Sequence, residues 1–140
     1  MSNPVPAPIP ANYRQLLEAP VHVVLATLMP DGQPQLTLVW SSCDGEYIYI
    51  NTARGRQKEK NMTARPQVTL FSADPRNPGR WIEVRGRVVE MTEEGAVDHI
   101  NALAQAYDGT EDYFEKLPAS RRAAMVRVIC KIEPVKVNVL

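Results

Sequence analysis

Apolar and polar positions alternate with period two over most of the chain, and the interruptions mark where that pattern gives way to helices. Residues 21–28 (VHVVLATL) are β-branched and apolar, and 29–32 (MPDG) carry Pro and Asp-Gly, so they predict a strand and a tight turn. A second strand over 34–41 returns antiparallel, and Ser42-Cys43-Asp44-Gly45 turns the chain into a third over 46–50. Tight turns of this kind make a sequential antiparallel meander the simplest arrangement. A fourth strand over 67–73 and a fifth over 80–91 follow, with Ile82, Val84 and Val88 on one side and Glu83, Arg85 and Arg87 on the other. Gly86 inside the fifth hints at a bulge or a close backbone approach. A sixth strand runs over 125–137.

Between these runs the spacing changes to that of helices. Asn12 can cap a short helix over 13–18 with Leu16 and Leu17 facing a core. Residues 56–64 are good helix formers without proline, ended by Arg65-Pro66. Thr92 can cap a helix whose first turn holds Glu93 and Glu94. Its apolar stripe is Val97, Ile100, Leu103, Ala104 and Tyr107, and it stops at Asp108-Gly109. A short helical piece over 111–116 and another start after Pro118 complete the set. Six strands with about three helices predict an α+β, mainly β domain, and closing the antiparallel sheet into a barrel would remove its exposed edges.

Composition changes little in this picture. The chain has 140 residues, 23% charged and 44% hydrophobic, which suits one soluble domain with a single core. Residues 1–11, rich in proline, read as an extended arm ahead of a domain over 12–140. No basic-then-apolar leader and no run of about 18 apolar residues appears, so a cytoplasmic location is expected, with no membrane partner. Cys43 and Cys130 stand apart, in neither a CxxC nor a Cys/His cluster, and no metal site is expected. His22 and His99 have no Ser, Cys or acid at triad-like or metal-like spacing and receive no role.

Charge does change the picture, because it is uneven. The formal net charge is zero, yet five cations fall between Arg54 and Arg65 against one acid, Glu59. Asn51, Thr52 and Gly55 lead from a strand into the helix carrying that cluster. Its first N-H groups lack partners and its dipole is positive. Cations at Arg56 and Lys58 would weaken such a start unless an anion, most simply a phosphate, sat beside them. The competing reading is a solvated helix face. A nucleic-acid binder is disfavoured by the zero net charge and by the absence of aromatics among the cations.

Three stretches in order, VVLATLMPDGQPQLTLVW, YIYINTARGRQKEKNMTARPQVTLF and WIEVRGRVVEMTEEGA, resemble the pyridoxamine 5'-phosphate oxidase-like split β-barrel flavoproteins. Within them the chain looks most like small proteins that bind the deazaflavin coenzyme F420 or FMN. The resemblance implies a six-stranded split β-barrel with flanking helices, and a homodimer with each cofactor in a groove between subunits. It implies hydride transfer from the reduced cofactor to a small unsaturated substrate, or, alternatively, a flavin or deazaflavin holder without turnover. It places residues 35–40 along the flavin ring, with Thr37 and Val39 as contacts, and Asn51 and Thr52 at the phosphate-proximal strand end. Arg56, Lys58 and Asn61 match the family's basic motif, although Asn61 could instead bond to the preceding loop. Trp81 could stack near the cofactor or pack in the core or an interface. Where the pyridoxamine oxidases have adjacent Arg-Lys, this chain has Arg-Gln-Lys, and their C-terminal Arg-containing segment is not found, which argues against their vitamin substrate. No catalytic side chain is singled out.

Overall fold

The computed structural model describes residues 5–115 and 117–140. Residues 1–4 of the expected arm and Lys116 lie outside the described residues, and the rest of the expected helical piece over 111–116 forms a bend and turns, not a helix. After a proline-rich lead, in which the Ala7 N-H donates to the Pro134 carbonyl, a 3-10 helix spans Ala11–Leu17. Pro10 precedes it and no side chain caps it; Leu16 and Leu17 are buried as expected.

Seven strands follow: β1 Val23–Leu28, β2 Pro34–Val39, β3 Ser41–Cys43, β4 Ile48–Ala53, β5 Gln67–Asp74, β6 Asn77–Thr92 and β7 Arg127–Val139. They interleave with helices α1 Gln57–Ala64, α2 Ala96–Asp108 and α3 Ala119–Ala124. The fold is α+β and mainly β, as the hydrophobic pattern predicts. The extra strand arises because the run over 34–41 breaks at Trp40. There the Ser41 N-H donates to the Tyr107 hydroxyl (3.1 Å) and Trp40 stacks on the Tyr107 ring at 5.3 Å, so α2 takes up bonds that a continuous strand would use.

The meander expectation is corrected by the pairing. The sheet order is β2-β1-β5-β6-β7-β4-β3, every neighbour antiparallel. The β1-β2 and β3-β4 hairpins are local, but β1 also pairs β5 and β4 pairs β7, because α1 carries the chain across before β5 begins. β2 and β3 close opposite ends of this order, yet only Trp40 separates them, so the sheet curls into a half-barrel.

Strand alternation aims Val23, Leu25, Ile48, Ile50, Leu70, Ile82, Val84, Val128 and Ile132 into one core. Gly86 lets β6 and β7 approach: a Cβ there would stand 2.8 Å from Ile132 Cγ2 and 2.9 Å from the Glu133 carbonyl oxygen, and the register shifts at that point. The cap of α2 is Gly95 at φ 77°, not Thr92, whose hydroxyl accepts from the Glu94 N-H one turn earlier. That delay puts Ala96, Ile100, Leu103 and Ala104 on the buried stripe and leaves Val97 exposed. Gly109, at φ 75°, ends α2.

Candidate functional site

Gly55, at φ 92°, makes the turn from β4 into α1 that a side chain would strain. Arg56 is the cap of α1, and Lys58 lies in its first turn. Both line an open cleft of about 180 Å³ between α1, the β2–β3 junction and α2. Leu38, Val39, Trp40, Ile100 and Leu103 form its apolar wall. Asn51, Arg56, Lys58, Tyr113 and Arg127 form the polar one.

The polar wall is electrostatically unfinished. Among the described residues no carboxylate lies within ion-pair distance of Arg56, Lys58 or Arg127. Burial, then the charges of Arg56 and Arg127, pushes the Lys58 ammonium below the ordinary lysine range. Burial, partly offset by Tyr113 and reinforced by Arg56, lowers Arg127 too. Arg127 is only 4% exposed, its Nε donates to Asn51 Oδ1 at 2.8 Å, and its guanidinium lies 5.0 Å from the Tyr113 ring centre. Three cations repelling one another at a cleft are a fit for a ligand carrying more than one negative charge, such as a phosphorylated cofactor.

A family model described as pyridoxamine 5'-phosphate oxidase matches residues 9–139. The chain belongs to this family. No curated protein matches it. Among solved structures it is similar to an F420 reductase, at 36% identity over 93% of this chain and 98% of that one, with a TM-score of 0.79. A conserved hypothetical protein from Mycobacterium tuberculosis is 24% identical over 99% of this chain and 88% of that one (TM-score 0.70). A putative pyridoxamine 5'-phosphate oxidase from Listeria innocua is 20% identical over 90% and 93% (TM-score 0.66). These last two establish the fold alone.

Of the residues the sequence singles out in this pyridoxamine 5'-phosphate oxidase family member, Val39, Asn51, Arg56 and Lys58 meet at the cleft. Thr37 pairs with Leu25 on the inward-facing side of β2 and does not line it. Thr52 faces the barrel interior, fully buried, its hydroxyl without a hydrogen-bond partner among the described residues. Asn61 is 0% exposed: its Nδ2 donates to Thr27 Oγ1 (3.0 Å) and its Oδ1 accepts from Gln57 (2.8 Å), so it ties α1 to β1. Trp81 starts the inward-outward alternation of β6 on the outer face, 5.7 Å from the Phe71 ring. Arg54 is drawn off by Glu59 (3.0 Å) and Glu93 (3.5 Å).

Leu38 and Trp40 of the stretch 35–40 line the cleft too, and Arg127, Tyr113, Ile100 and Leu103 complete it; reading the sequence as a string of elements misses these four as site residues. Arg127 opens β7 and looks like any strand arginine. What brings it to the cleft is the pairing of β7 with β4, which sets Arg127 opposite Ala53. Sequence spacing gives His99 no catalytic or metal-binding partner, yet the fold places Ser42 and Asn51 against it. Among the described residues no three His, Cys, Asp or Glu side chains converge as a metal site, and no helix is long and apolar enough to cross a membrane.

Proposed function

We propose that the chain is a homodimeric oxidoreductase that holds coenzyme F420 or FMN and passes a hydride from the reduced cofactor to a small unsaturated substrate. The observation that carries this reading is the convergence of Arg56, Lys58 and Arg127, without a carboxylate among them, on a cleft whose other wall is apolar. In it the three cations hold the cofactor's phosphate, and Asn51 orients Arg127. Trp40, Ile100 and Leu103 keep water from the apolar wall. Among the described residues no carboxylate or histidine lines the cleft, so the proton that completes reduction comes from solvent or from a lining group such as the Tyr113 hydroxyl or the Lys58 ammonium. Such a lining suits chemistry in which the protein supplies position and electrostatics. The 36% identity to an F420 reductase favours F420 over FMN.

The dimer is supported by an apolar outer face. Leu36 and Leu38 are 63% and 66% exposed, Phe71 is 40% exposed, and the register sets Leu38, Val24 and Phe71 in one row across β2, β1 and β5. Leu38 also lines the cleft, so a second copy covering this face would complete the groove. Leu38→Asp should shift the protein from dimer to monomer by size measurement and weaken cofactor binding; a wild-type monomer that binds cofactor would sink the interfacial groove.

Titrating the purified protein with F420 and with FMN, followed by absorbance, is the deciding experiment. Binding of neither would refute the cofactor reading. The alternative, a holder without turnover, is favoured by the scarcity of proton donors in the cleft. It would be upheld if bound reduced cofactor were not reoxidised by any enone or quinone offered.

A further inference from the structure

Asn51 is held from behind the cleft. Its Nδ2 donates to the Ala96 carbonyl (2.9 Å) and to His99 Nδ1 (3.0 Å), while its Oδ1 accepts from Arg127 Nε (2.8 Å). Two of these partners fix the amide, because a guanidinium only donates and a carbonyl only accepts. His99 Nδ1 therefore carries no proton, and Nε2 carries one that it donates to Ser42 Oγ at 3.3 Å. This tautomer excludes a Ser42 nucleophile activated by His99, since the nitrogen beside the hydroxyl is already protonated.

We propose that His99 is a positioning residue: neutral, it locks Asn51 and through it the Arg127 guanidinium for anion binding, and its protonation releases that lock. The proposal rests on the cleft binding an anionic cofactor, as above. A second proton on His99 goes to Nδ1, where it meets the Asn51 N-H. Turning the amide over instead aims Oδ1 at the Ala96 oxygen and Nδ2 at the Arg127 N-H. Both arrangements set like groups against each other. Arg127 and Lys131 from β7, Glu90 from β6, Tyr49 from β4 and Glu18 after the 3-10 helix are the charged or titratable groups around the ring. Burial, and then Arg127, hold the His99 pKa below its ordinary 6.5, so the lock is closed at neutral pH and opens as pH falls through that lowered value. His99 does not line the cleft, so its charge acts on the anion from behind Asn51, whereas the broken bonds free Arg127, which lies in the cleft itself.

The test has one arm without cofactor and one with it. In the free protein the Arg127 Nε-H resonance, assigned by its loss in Arg127→Lys, should be sharp at about pH 7.5 and broaden as the pH falls through the His99 titration. It should stay sharp in His99→Asn, whose amide oxygen stands where Nδ1 stood. With F420 and FMN as probes, wild-type affinity should fall about tenfold more than that of His99→Asn between about pH 7.5 and 5. The cofactors' own ionisations cancel in that ratio. His99→Leu should bind about tenfold more weakly at every pH. A resonance indifferent to His99 protonation, or the same pH profile in wild type and His99→Asn, would overturn the proposal. If neither cofactor binds, the resonance still decides the lock, and only the cofactor reading falls.

Discussion

The two ends of α1 carry similar side chains into different surroundings. At its start Arg56 and Lys58 face a cleft and find no carboxylate among the described residues; the burial and repulsion that lower Lys58 are left uncompensated by the chain. Toward its other end Asn61 is fully buried and bonded to Thr27 and Gln57, and Arg65 donates to the Leu28 carbonyl at 2.8 Å. A polar group whose bonds are all made within the fold serves stability. One held in place with its charge unmet points to a ligand. Arg54 sharpens the contrast, since two positions before Arg56 it is paired with Glu59 and Glu93.

That division can be broken in three ways. Arg56→Ala with Lys58→Ala should weaken cofactor binding by about 4 kcal/mol, two charge-assisted contacts at about 2 each, while the melting temperature stays level or rises as repulsion is relieved. Unchanged affinity would return the cluster to a solvated helix face. Asn61→Ala should do the reverse, costing about 3 kcal/mol of folding stability in denaturant titration, because it opens a cavity and strips the buried Thr27 hydroxyl of a partner. Its cofactor affinity per folded molecule should match wild type, and a selective loss of affinity would make Asn61 a ligand contact after all. Arg54→Ala should be smallest, about 1.5 kcal/mol of stability, since Arg54 and Glu93 are partly exposed but the Glu59 left behind is buried and loses its ion-pair partner. A large drop in affinity from that change would extend the anion site beyond the cleft.

Much of the site was legible because it is local. Gly55, Arg56 and Lys58 lie on one turn between a strand and a helix, where residue order alone brings them together. The family resemblance assigns Asn61 and Thr52 to the same site, but strand alternation turns Thr52 inward and helix rotation turns Asn61 toward β1. Trp81 shares neither the turn nor the cleft; it belongs to the outer face with Phe71.

By itself, then, the sequence determined most of the strands, the ends of α1 at Arg65-Pro66 and of α2 at Gly109, and the local excess of positive charge ahead of α1, all of which rest on periodicity and on the conformational limits of Gly and Pro within a few residues. Only the tertiary structure decided that β1 pairs β5 and β4 pairs β7, that Tyr107 splits a strand at Trp40, and that Arg127 and His99 arrive on either side of Asn51. Those outcomes depend on pairing register and on which buried faces meet. Register is chosen by the packing of the whole core, where a shift of one residue turns every side chain to the opposite face.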